Sequence, residues 1–80
     1  MSGKTFSRNK LYDIRKQKKL KRVDVAVLIE KSIVFIEGIE TGKREPKITE
    51  AKKLAEIYNV TLDEIFSAIK SKSEKLKDVH

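Results

Sequence analysis

Apolar residues recur at helical spacing in five separate stretches of this chain, with little of the strict alternation that marks a half-buried strand. Leu11 and Ile14 follow Ser7, a residue type suited to capping, and predict a first helix over about residues 8–18. Val25, Ala26, Leu28 and Ile29 predict a short second helix over 22–29, and Phe35, Ile36 and Ile39 a third over 33–41. Gly42 suits the left-handed stop of that third helix. A loop over 43–47 holds the only proline, Pro46; Thr49 is then expected to cap a fourth helix that turns Ala51, Leu54, Ala55 and Tyr58 to one side and ends at Asn59. Thr61-Leu62-Asp63-Glu64 has the form of a capping box and opens a fifth helix carrying Leu62, Ile65, Phe66 and Ile69. The expected fold is therefore all-α, a compact five-helix bundle over residues 8–70. A flexible stretch over 1–7 precedes it and a polar, lysine-rich tail over 71–80 follows.

Eighty residues suffice for one core and not for two. Without cysteine, neither disulfides nor thiolate metal sites can support that core, and packing must do so. Apolar runs such as residues 33–36 fall far short of the roughly 20 residues of a membrane span, and residues 1–10 lack the apolar stretch of a signal peptide, so a soluble, unexported protein is expected. Catalysis finds little support, since the one histidine is His80 and no glycine-rich phosphate loop is present. Glu37 and Glu40 lie one helical turn apart, a spacing that reads as two solvent-facing acids before it reads as a catalytic pair. No enzyme activity, metal, cofactor or small-molecule substrate is expected.

Charge changes the picture. The formal balance is +7, as expected of a protein that binds a polyanion. It is uneven too: residues 1–22 carry nine Lys and Arg against Asp13 alone, so the rest of the chain is close to neutral. Arg15, Lys16, Lys18 and Lys19 either extend a polyanion footprint or merely solvate the first helix.

The order and separation of several residues add a further expectation. Ile14-Arg15-Lys16 and Leu20, Ala26, Ile36, Ile39, Glu40 and the run from Gly42 through Lys43, Arg44 and Glu45 to Pro46, followed by Leu54-Ala55, Tyr58 and the stretch Val60 to Phe66, resemble the Cro-and-repressor type of helix-turn-helix domain, the XRE family, over residues 10–66. The resemblance implies a lambda-repressor-like fold whose second and third helices form the helix-turn-helix, with Ala26 small enough for them to cross closely and Ile36 and Ile39 anchoring the third helix. It implies a transcriptional regulator, by expectation a repressor, whose partner is double-stranded DNA, working in the cytoplasm of a prokaryotic cell or phage-infected host, at the nucleoid. Base contacts would come from Ser32, Ile33, Val34, Glu37 and Gly38 in the major groove, and phosphate contacts from Lys21, Arg22, Lys31, Lys43, Arg44 and Lys47. A homodimer on paired half-sites is a further implication, with residues 60–69 or the tail as candidate interfaces.

Three departures from that pattern bear on function. Lys21-Arg22 stands where the family carries Ser-Gln or Thr-Gln, so the usual cap and the phosphate-binding glutamine are both replaced, although Arg22 can itself reach a phosphate. Glu30-Lys31 replaces a glycine and a hydrophobic residue in the turn, where a left-handed glutamate costs about 1 kcal/mol and a distorted turn is a natural expectation. The third helix is apolar and acidic where the family is polar or basic. Apolar side chains can read thymine methyls and Glu37 can accept from a cytosine amino group, whereas Phe35 is expected in the core and Val34 falls between core and surface. The alternative function is a protein-protein interaction module that offers Ile33, Val34 and Phe35 to a partner or a second copy.

Overall fold

The structure is a computed structural model and describes residues 8–73. Five helices follow one another: α1 (Lys10–Gln17), α2 (Arg22–Ile29), α3 (Ile33–Thr41), α4 (Ile48–Tyr58) and α5 (Leu62–Ile69). The fold is all-α, and the only extended pairing among the described residues is a single antiparallel bridge between Asn9 and Lys72.

Each helix begins where a side chain can accept a free backbone N–H, but not always where expected. Ser7 lies outside the described residues; Asn9 caps α1, its Oδ1 accepting from the Leu11 N–H at 3.1 Å. Ser32 Oγ accepts from Phe35 N–H at the start of α3, and the Thr61–Glu64 box opens α5 with reciprocal bonds of 3.0 and 2.7 Å. α2 and α4 start differently. Lys21 and Lys47 occupy their cap positions, and acids three residues on reach back: Asp24 accepts from Lys21 N–H at 2.9 Å and Glu50 from Lys47 N–H at 2.8 Å. Thr49 is thus not the α4 cap but sits inside its first turn.

Four of the five helix ends turn on a left-handed residue, Lys19, Glu30 and Asn59 with φ near 60° and Gly42 at 82°, while α5 closes on the right-handed Lys70. At Glu30 the turn is regular despite the missing glycine, for Lys31 N–H donates to the Ala26 carbonyl at 2.9 Å and closes the end of α2.

α2 packs on α3 and α4, α4 on α5, and α1 against α5 and α3. Leu11, Val25, Ile29, Ile36, Ile39, Leu54, Tyr58 and Ile65 fill the middle, with the small Ala26, Ala51, Ala55 and Ala68 at close approaches. Leu28, expected among the inward residues, is instead 58% exposed, because Val25, Ala26 and Ile29 already define the inner stripe of α2 and Leu28 falls outside it. The packed body runs on past α5: Ser71 and Ser73 bond Lys10 and Arg8, and Ser73 Oγ donates to Asp13 Oδ1 at 2.5 Å.

Candidate nucleic-acid interface

With Ile36 and Ile39 buried, α3 turns its other side outward. Ile33 is 46% and Val34 74% exposed; Glu37 is exposed, Gly38 half-buried, and Ser32 is exposed at the cap. All five base-contact candidates thus lie along one accessible side or end of α3. Phe35 is buried, as expected, and Val34 belongs to the surface.

Cations flank this helix at both ends. Arg22, the first residue of α2, places Nε 3.4 Å from Glu40 Oε1, and Glu40 precedes Lys43 by three residues. The N-terminus of α2, with Lys21 and Arg22, therefore borders the loop that leaves α3. Lys43 and Arg44 are fixed to α3 by their backbone N–H groups, which donate to the Gly38 carbonyl at 2.9 and 3.2 Å. Toward the other end, Lys31 Nζ lies 5.4 Å and Arg44 Cζ 5.1 Å from the centre of the Phe35 ring, both within cation–π reach. Lys31 also pairs with Glu50 at 3.2 Å, and Glu50 caps the backbone of Lys47, so Lys31, Arg44 and Lys47 gather around α3 and the start of α4. The bond from the Lys47 N–H, followed by the Lys31 ammonium, holds the Glu50 carboxyl below the ordinary carboxylate range against the opposing effect of its desolvation.

A family model described as helix-turn-helix matches residues 11–65, which is most of the chain and spans all the cations and outward residues just described. The chain belongs to the XRE-type helix-turn-helix family. That family is one of DNA-binding regulators. No curated protein matches the chain, and no helix among the described residues is long and apolar enough to cross a membrane.

Inside this helix-turn-helix lies a buried ion pair where the residue spacing predicts surface charge. Glu40, expected as a solvent-facing acid, is fully buried. Arg15, expected either in a polyanion footprint or solvating α1, is 4% exposed and grips Glu40 with two bonds, Nε to Oε2 at 2.6 Å and Nη2 to Oε1 at 3.2 Å. A third N–H of Arg15 goes to the Leu20 carbonyl at 2.9 Å. Arg8 Nη1 approaches the same carboxylate to 3.8 Å. A buried carboxylate needs such pairing, because the uncompensated charge would cost several kcal/mol. The clue was available: Glu40 falls on the side of α3 that Ile36 and Ile39 define, and Arg15 stands four residues after Leu11 on the inner side of α1. A charged residue on an apolar stripe calls for an opposite charge on the facing one. Lys16, Lys18 and Lys19 remain exposed.

Proposed function

We propose that the protein is a sequence-specific, DNA-binding transcriptional repressor that lays α3 in the major groove. The observation that carries this reading is the outward side of α3, Ser32 to Gly38, bordered at one end by Lys21, Arg22 and Lys43 and at the other by Lys31 and Lys47. The first residue of α2 is joined to the last turn of α3 through Glu40, which supports a footprint in which Arg22 and the cations after α3 face the same duplex. Arg22 stands at the positive end of the α2 dipole, which adds to its pull on a phosphate. Ile33 and Val34 offer methyl groups to thymines, and Glu37 an acceptor to a cytosine amino group. Two copies on paired half-sites would double this footprint.

Fluorescence anisotropy against a pool of duplexes, titrated with salt, tests the reading. Binding should weaken linearly in log salt with a slope of about −0.9 for each phosphate contacted. A chain that binds no duplex even at low ionic strength is not a DNA-binding regulator. Repression itself is read by placing the selected duplex across a reporter promoter.

A second reading, a protein-docking module, is favoured by one observation: Val23, Val27 and Leu28 on α2 and Ile33 and Val34 on α3 are all exposed.

A further inference from the structure

Resting on the DNA-binding reading, we infer that Arg44 is a base-reading, specificity-determining residue, taking a guanine from the flank of α3, and not one of the phosphate anchors with which the family resemblance groups it.

Four arginines lie among the described residues, and three of them, Arg8, Arg15 and Arg22, converge on the Glu40 carboxylate. Arg44 does not. No acceptor among the described residues takes a hydrogen bond from its guanidinium, so its whole planar set of donors is open to a ligand. Its path decides where that set points. Both the Lys43 and Arg44 N–H groups bond the Gly38 carbonyl, which folds the loop back along α3. A methyl group placed on Gly38 would sit 3.4 Å from Arg44 Cβ, so the Arg44 side chain leaves its backbone directly over the glycine. It then runs one turn toward the start of α3 and ends over the Phe35 ring, 5.1 Å from its centre.

Gly38 belongs to the outward part of α3 and brings no side chain of its own. The Arg44 side chain lies across this gap, so a helix whose own outward side chains are apolar or acidic receives a guanidinium from the following loop. The ring, 5.1 Å away, restrains the guanidinium by cation–π attraction and takes none of its N–H groups, which suits it to a bidentate bond with guanine O6 and N7. A phosphate anchor needs no such restraint.

The experiment uses the full chain and duplexes selected from a random pool. Arg44→Ala, which keeps the Cβ beside Gly38, should lose preference at one G·C pair per half-site and bind the selected duplex about tenfold to a hundredfold more weakly. Its salt slope should stay as it was. Arg44→Lys keeps the charge and lacks the fork, and should lose the same preference. In the wild type, 7-deazaguanine at that position removes N7 and should weaken binding, while Arg44→Ala should not respond to it. Circular dichroism verifies that both variants keep their helices. Equal weakening on every duplex, with the slope reduced by about one, would make Arg44 a phosphate contact and overturn the inference while leaving the regulator intact. A wild type that binds no duplex at low salt overturns both.

Discussion

Tyr58 is the largest fully buried side chain, and its hydroxyl finds no hydrogen-bond partner among the described residues. Burial raises its pKa above the ordinary phenol value of 10.0, and the nearby Glu40 carboxylate pushes the same way against a smaller opposing pull from Arg15. An unpaired buried hydroxyl costs about 1–3 kcal/mol, so Tyr58→Phe should leave stability unchanged or raise it by about 1 kcal/mol, read from the urea midpoint. The sign of the pH effect follows: the folded chain keeps this proton longer than the unfolded one, so the neutral phenol's contribution is whole below about pH 10 and declines above it. The advantage of Tyr58→Phe should therefore widen in alkali. A loss of more than about 1 kcal/mol at neutral pH would mean that the hydroxyl has a partner after all. At this scale apolar residues were the most legible: Phe35, Ile36, Ile39 and Tyr58 read as core and are. Arg15 and Glu40 each stand on the apolar side of their helix, but which charge answers which depends on how α1 meets α3 across 25 residues of sequence, and that pairing was not legible.

Helix ends explain what was and was not readable at the scale of elements. All five helices follow from apolar spacing, since 3.6-residue periodicity is carried by each segment's own residues. α2 starts at Arg22 as its spacing predicts, whereas the start of α4 shifts to Ile48, because there the capping oxygen comes from the third helical residue, Glu50, and not from Thr49. The turn between α2 and α3 keeps its regular form although Glu30 stands where glycine is favoured, with φ at 61°. The Lys31 bond to Ala26, together with the packing of Val25, Ile29 and Ile36 on either side, holds it there. Glu30→Gly should then stabilise the domain by about 0.5–1 kcal/mol, the strain relieved exceeding the entropy that glycine adds to the unfolded chain. Chemical denaturation of the pair, at constant m-value, measures it; a destabilised variant would show that the glutamate side chain makes a contribution larger than the strain.

On the scale of the whole molecule, composition overstated the positive field at the chain's start, because Arg15 and Arg22 spend part of their charge on Glu40. What remains outward is a set of lysines and Arg44 together with an aliphatic surface on α2 and α3, where Val27 is 70% and Val34 74% exposed. Such a surface can meet thymine methyls or another protein, and the two uses respond oppositely to one charge. Ile33 borders both the groove-facing side of α3 and the turn that carries Lys31. If α3 lies in the groove, Ile33→Lys should erase a preference for thymine at one position and steepen the salt slope by up to about one unit, since the new ammonium can reach a phosphate. Sedimentation of the free protein should be the same for variant and wild type. The opposite pattern, an assembly of the wild type that the lysine disperses while DNA binding stays as it was, would assign this surface to a protein partner. The lysine separates the two because a desolvated ammonium is costly in an apolar protein interface, whereas a polyanion beside the same position welcomes it.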